Sequence, residues 1–162
     1  VFIAPQCPTL ALGDDLRQRL VNQGVRMFEV ESFNEQIDGR CVIEHLDALY
    51  MTRIQSEHNN PADEAAFQAI DFSNYKLTPS LVARMKRYAP ILHPFPRDQH
   101  FGEIPPEIDD DPRAMYFRQA RNGMWIRAAL LAHLFDVDHH ISRRYHEQYG
   151  DYREGSTSLQ QA

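Results

Sequence analysis

Cysteine is almost missing from this chain of 162 residues: only Cys7 and Cys41 occur, far apart and with no C-x-x-C pair. That excludes a disulfide-stapled scaffold and a thiolate metal site, and it reads as two reduced, partly buried thiols in a cytoplasmic protein. Positive charge is also scarce. The formal net charge is −6 with 25% charged residues, so there is no basic footprint for nucleic acid. No apolar run approaches the roughly 18 residues a membrane span needs, and no signal-peptide pattern opens the chain. The expectation is one soluble intracellular domain, with neither nucleic acid nor membrane as a partner.

What is present is an alternation of strand and helix signals, the pattern of a parallel sheet covered by helices. Phe2 to Ala4 is a short strand closed by Pro5 and Pro8. A helix begins at Asp14, carries Leu16, Leu20 and Val21 on one face, and stops at Gly24. Val25 to Val30 alternates as a strand, Ser32 caps a short helix to about Ile37, and Gly39 to Glu44 is irregular. Asp47 to Met51 is the central strand, and Ala62 to Ile70 is helical. Thr78 followed by Pro79 is a cap with Pro at the first helical position, so Ser80 to Tyr88 is a helix. Ile91 to His93 is the last strand. A long helical pattern then runs from beyond Pro112 to about Phe135, bent near Asn122-Gly123, with Ala129, Leu130, Leu131 and Leu134 as its apolar stripe. The polar end from Gly150 to Ala162 reads as disordered tail.

Two stretches carry chemistry. The first is Tyr50-Met51-Thr52-Arg53-Ile54-Gln55, directly after an apolar strand. A buried parallel strand ending in Arg-x-Gln puts a cation and an amide at the strand's carboxyl end, where open α/β sheets bind ligands. Arg offers a rigid fork that matches a carboxylate or phosphate. Gln, two residues on, points to the same side and both donates and accepts. An Arg and a Gln past a strand are also ordinary surface residues, so this pair alone decides nothing.

The second stretch is Ile91-Leu92-His93-Pro94-Phe95-Pro96-Arg97. Each Pro fixes φ and removes a backbone donor, and Pro96 pushes Phe95 toward extended geometry. The result is a stiff elbow, flanked by His93 and Arg97, whose carbonyls at Pro94 and Phe95 are free to accept from a ligand's NH2 group. A rigid strand-to-helix loop is the plain alternative. Elsewhere His133, His139, His140 and His146 read as a solvated helix face rather than a metal site, because their spacing is mixed. Asp109-Asp110-Asp111 reads as the acidic start of a helix, favoured by its dipole.

Taken in order, these stretches resemble the aspartate carbamoyltransferase family. Further matching pieces are Tyr75-Lys76-Leu77-Thr78-Pro79-Ser80-Leu81, Glu103-Ile104-Pro105-Pro106-Glu107-Ile108-Asp109, Asp111-Pro112-Arg113-Ala114, Tyr116-Phe117-Arg118-Gln119, and Asn122 to Leu131. The resemblance runs from about Val1 to Leu134. Related ornithine enzymes typically carry Cys where Pro94 stands and lack the Thr-Arg-x-Gln strand end, so Pro94, Arg53 and Gln55 favour aspartate as acceptor.

The resemblance implies a three-layer, Rossmann-like α/β fold: a parallel sheet with helices on both faces, here lacking its first strand. It implies an aspartate-binding domain over residues 1–149, the second half of a carbamoyltransferase, followed by the tail at 150–162. The Ser-x-Arg-Thr-type phosphate loop of the family's first domain is not in this sequence. The implied activity is carbamoyl transfer from carbamoyl phosphate to L-aspartate in pyrimidine biosynthesis, without cofactor or metal, and inactive without the carbamoyl-phosphate domain on the same or a separate chain. Arg53 and Gln55 would bind aspartate, and the Pro94 and Phe95 carbonyls would hold the carbamoyl NH2, while this half holds no catalytic group of its own. The implied assembly is a homotrimer of catalytic chains, with regulatory or dihydroorotase-like subunits as further partners. The alternative is a non-catalytic carbamoyltransferase-like subunit serving assembly or regulation. Ser56-Glu57-His58 stands where the family usually has Lys-Glu-Arg, the segment from His58 to Asn74 is longer than usual, and Phe95 stands where Leu is usual.

Overall fold

A computed structural model describes residues 1–5, 7, 10–53, 67–98 and 102–150. The chain divides into two compact units, Val1–Gln119 and Ala120–Ala162. The expected helix at Ala62 to Ile70 lies mostly outside the described residues, as does the tail beyond Gly150.

In the first unit, β1 (Phe2–Ile3) and β2 (Glu29–Val30) pair in parallel, with α1 (Asp14–Asn22) between them in sequence. Asp14 and Asp15 occupy the helix's first turn and Arg19 its last, the arrangement its dipole favours. Gly24, at φ +71°, takes the left-handed conformation that ends it at low steric cost.

The next segment corrects the sequence reading. Instead of a capped helix and an irregular stretch, β3 (Gln36–Ile37) and β4 (Arg40–Cys41) form an antiparallel hairpin. Asp38 and Gly39 sit at φ 52° and 80°, the left-handed pair that a two-residue hairpin turn requires. The Asp-Gly turn signal outweighs the cap signal at Ser32, whose hydroxyl accepts from the Asn34 amide at 3.0 Å in a tight local turn. A one-turn helix, α2 (Val42–His45), follows and buries Val42 and Ile43.

The pair that positions the candidate site is β5 (Leu49–Tyr50) against β6 (Ile91–Leu92). They run parallel, with Leu49 opposite Ile91 and Tyr50 opposite Leu92. Their pairing continues past the strands, the Met51 amide donating to the Leu92 carbonyl at 2.8 Å. On its other side, Ile91 accepts from the Met115 amide at 2.9 Å and donates to the Arg113 carbonyl at 2.7 Å. Segment 113–115 therefore lies beside β6 in parallel, with Ala114 opposite Ile91.

Between the two strands, α3 (Pro79–Arg84) begins as expected, the Thr78 hydroxyl accepting from the Leu81 amide at 3.3 Å. It ends before the predicted Tyr88, because Met85 is already extended. Ile43, Leu77, Val82, Met85, Ile91, Ile104, Ile108 and Tyr116 form one buried cluster around this strand pair. The architecture is α/β and Rossmann-like in its parallel pairs separated by helices. The described strands form three two-stranded pieces.

The triple-aspartate run is not a helix start. The next helix, α4, begins only at Tyr116 and runs to Leu134. Asp109 and Asp111 instead accept from Arg97 and Arg113. Helix α4 continues without interruption through Asn122-Gly123.

In the second unit, Asp136 at φ +54° turns the chain from the end of α4 into α5 (Asp138–Tyr149). Among the described residues of this unit Ala132 is buried, whereas Leu130, Leu131 and Leu134 are exposed, so the predicted apolar stripe is not covered within this chain. No helix among the described residues is long and apolar enough to cross a membrane.

Candidate functional site

The parallel register carries the two chemical stretches to one edge. Both β5 and β6 end there, β5 running on into Met51-Thr52-Arg53 and β6 into His93-Pro94-Phe95. Neighbouring strands lie about 4.8 Å apart, so the two chain exits are adjacent at the carboxyl ends, where open sheets place ligands. Arg53 is half-buried, Pro94 is exposed and Phe95 is half-buried. Gln55 falls outside the described residues.

The elbow departs from the extended conformation expected of it. Phe95 sits at φ +58°, and its bond to Pro96 is cis. A left-handed backbone is unfavourable for a bulky side chain and persists only where its surroundings hold it. Its neighbours provide that hold. The Phe95 amide donates to Nδ1 of His93 at 2.9 Å. The Phe95 ring packs edge-on against Tyr116, centroids 5.8 Å apart, and lies 5.6 Å from both the His93 and Phe117 rings.

Beneath the elbow, His93 is completely buried, and its Nε2 lies 2.8 Å from Oε1 of the equally buried Glu103. Glu103 also accepts from the Asp98 amide, at 3.0 and 3.1 Å to its two oxygens. Burial holds the His93 imidazole below the usual histidine range, outweighing the Glu103 carboxylate, which acts in the opposite direction. The amide of His93 itself donates to Oε1 of Gln119 at 2.9 Å, and Nε2 of Gln119 donates to the Tyr50 hydroxyl at 3.0 Å. One side chain thus ties the end of β5 to the end of β6.

Arg97 closes the far side of the elbow. Its guanidinium donates to both oxygens of Asp109, at 2.8 and 2.9 Å, and to the Ile104 carbonyl at 3.2 Å. The Tyr116 hydroxyl donates to the same Asp109 carboxylate. The Arg97 bonds hold the Asp109 carboxyl below its usual range, and burial, with Asp109 beside it, pushes the Tyr116 phenol up. A cation already paired bidentately has little to offer a ligand, so Arg97 is a structural brace.

In sequence His93 and Arg97 only flank the elbow; the fold adds Glu103, Asp109, Tyr116 and Gln119 as their partners. The motif pieces containing these residues were visible in sequence. Their pairing across 10 to 26 residues was not. The histidine-rich region brings Asp136, Asp138 and His139 within 4.8 Å of one another, all exposed. His133 and His139 each lie 3.9 Å from Asp138, which begins α5 and accepts from the His139 amide. Asp138, in the first turn of α5, has these imidazoles and the helix N-terminus as its neighbours.

The chain is similar to known proteins over most of its length. Residues 15–134 match the model of the aspartate/ornithine carbamoyltransferase Asp/Orn-binding domain. The aspartate carbamoyltransferase catalytic subunit of Methanospirillum hungatei is 41% identical over 129 residues, covering 80% of this chain and 39% of the relative. The multifunctional protein CAD of Squalus acanthias is 37% identical over 131 residues, covering 81% of this chain and 5% of that protein. Among solved structures, aspartate transcarbamoylase from Trypanosoma cruzi in complex with carbamoyl phosphate and aspartate superposes with a TM-score of 0.63 at 29% identity. That match covers 80% of this chain and 39% of the other. The chain therefore spans about two fifths of the catalytic subunits it matches, and over that span it belongs to the aspartate/ornithine carbamoyltransferase family through its Asp/Orn-binding domain.

Proposed function

We propose that this chain is the aspartate-binding part of an aspartate carbamoyltransferase. It acts with a carbamoyl-phosphate domain to transfer the carbamoyl group to L-aspartate in pyrimidine biosynthesis. The observation that carries this reading is the parallel β5–β6 register, which sets Arg53 and the Pro94–Phe95 elbow at one edge. The relatives named above, and the substrates in the Trypanosoma cruzi complex, supply the chemistry.

In this reading the Arg53 fork pairs with an aspartate carboxylate, and Gln55 binds beside it. The Pro94 and Phe95 carbonyls accept from the carbamoyl NH2 group. The aspartate amine attacks the carbamoyl carbon, the bond from that carbon to the phosphate oxygen breaks, and the amine proton leaves with the phosphate. Holding two anionic reactants together is first a problem of proximity. Donors for the charge that develops on the carbonyl and the phosphate belong to the other domain. The assembly is a cytoplasmic homotrimer of catalytic chains, with regulatory or dihydroorotase-like subunits as further partners. The domain extends over residues 1–149.

Arg53→Lys, made in the protein together with its carbamoyl-phosphate domain, tests the assignment. A point charge does not reproduce the planar fork. Loss of one charged hydrogen bond is worth roughly 1.5–3 kcal/mol, on the order of ten- to a hundredfold in the aspartate requirement. Carbamoyl-phosphate binding should stay nearly constant. Unaltered aspartate kinetics would remove Arg53 from the site. Absence of carbamoyl aspartate formation by the intact wild type would favour the non-catalytic subunit.

A further inference from the structure

The Pro94 carbonyl is useful to a ligand only if it faces outward, and the structure contains a device that aims it. A peptide unit is planar, and in the trans form its N–H and C=O point in opposite directions. Phe95–Pro96 is the cis bond of the elbow, and the preceding Pro94–Phe95 peptide is trans. Its N–H points at Nδ1 of the fully buried His93, at 2.9 Å. The carbonyl of the same plane, that of Pro94, therefore points away from the buried side, at an exposed residue.

The bond also determines the state of the imidazole. A backbone N–H can only donate, so Nδ1 must carry a lone pair rather than a proton. The single ring proton then sits on Nε2 and is donated to Glu103 at 2.8 Å. Glu103 is in turn held by the Asp98 amide. The charged groups that act on His93 are Glu103 and Arg97. Gln119 and the Phe95 ring, which also touch it, are neutral. Protonating Nδ1 would set a donor against the Phe95 amide and release the peptide plane.

We propose that His93 is the positioning residue of the elbow: Glu103 holds its neutral Nε2–H tautomer, and Nδ1 anchors the Phe95 amide so that the Pro94 carbonyl faces the carbamoyl amine. This rests on the reading of the elbow as the carbamoyl-holding site, and it assigns a role to a buried pair that does not itself touch substrate. The left-handed Phe95 backbone is where such an anchor is needed, because nothing intrinsic to a phenylalanine favours φ +58°.

Two substitutions separate the two bonds of the ring. His93→Asn places an amide oxygen near Nδ1 and keeps the acceptor for Phe95. His93→Gln reaches toward Glu103 instead and abandons that acceptor. Both are made in the intact protein with its carbamoyl-phosphate domain, and each is read in two ways. Steady-state kinetics should show His93→Gln losing about tenfold in kcat/KM for carbamoyl phosphate, the worth of one hydrogen bond, with the aspartate KM unchanged. His93→Asn should stay within about threefold of wild type on the same scale, and it should lose the acid limb of the kcat profile that His93 sets in the wild type, below the usual histidine range. Hydrogen exchange of the Phe95 amide should be slow in wild type and in Asn, and fast in Gln. A purely structural His93 predicts equal losses of stability in both variants and no change in the acid limb. Equal Phe95 exchange in the two variants, or equal carbamoyl-phosphate kinetics, overturns the proposal. If the wild type forms no carbamoyl aspartate, the reading of function fails, and the exchange measurement alone still decides whether His93 holds the Phe95 amide.

Discussion

Arg97→Lys tests whether the brace around the elbow carries real energy. Arg97 and Asp109 are only 22% and 27% exposed, so their bidentate pair is shielded from solvent screening. Lysine can keep one of the two bonds to Asp109. It loses the second, a charge-assisted bond worth roughly 1.5–3 kcal/mol. It also leaves the Ile104 carbonyl without the donor it accepts at 3.2 Å, beneath a side chain that is 2% exposed. That bond is long, so about 1 kcal/mol is assigned to it. The stacking of a planar cation within 5.4–5.8 Å of Phe95, Tyr116 and Phe117 is weakened as well. The two lost bonds alone amount to about 2.5–4 kcal/mol, or roughly 5–15 °C in Tm for a chain of this size. The assay is urea denaturation followed by tryptophan fluorescence and by circular dichroism, with m compared between variants. Lys86→Ala is the control. Its pair with Asp47 is 48% and 92% exposed, and its removal should change stability by less than about 0.5 kcal/mol. If Arg97→Lys moved the midpoint no more than this control, the network would be ornamental and the account of how Phe95 is held would be wrong.

Further outcomes follow from the same structure. Ile91→Ala should cost about 2–5 kcal/mol by chemical denaturation, because Ile91 is 0% exposed at the centre of the buried cluster; a loss below about 1 kcal/mol would contradict that placement. Acid should destabilise the fold in two stages. His93 is held below its ordinary value near 6.5, so the unfolded chain takes up that proton first, and stability present above that pH declines as pH falls below it. Asp109 and Asp111 are held below 3.8 by Arg97 and Arg113, so their contribution is complete above about pH 4 and disappears as pH drops through their lowered folded-state values. Midpoints measured from pH 8 to pH 3 that stayed flat would refute both assignments.

Local chemistry was legible wherever a residue acts on its own few neighbours. Thr78-Pro79 had to start a helix and Gly24 had to end one, because capping and left-handed backbone depend on nothing distant. Asp38-Gly39 carries an equally local hairpin signal, and it makes a strand pair where a short helix and an irregular stretch were expected. The strand end bearing Arg53 and the elbow at Pro94–Phe95 stood out as chemistry because fixed forks and proline-stiffened carbonyls are properties of residue types. The same motifs carried the family resemblance that the comparisons bear out.

What residue types could not reveal was who meets whom. Register decides that Met51 lies beside Leu92, and hence that the two motifs share one edge. Chain folding decides that the acids after Ile108 answer Arg97 and Arg113 instead of a helix dipole, since a carboxylate near a guanidinium gains more than one near an exposed helix end. It decides that Gln119, 26 residues beyond His93, ties the ends of β5 and β6 together. It also decides which face of α4 is covered: leucines at helical spacing mark a stripe, but only packing buries it, and here Ala132 is buried while Leu130 and Leu134 are not. The tautomer of His93 is the clearest case. No sequence records which ring nitrogen holds a proton. That follows from a backbone amide on one side and a buried carboxylate on the other, and both arrive only with the fold.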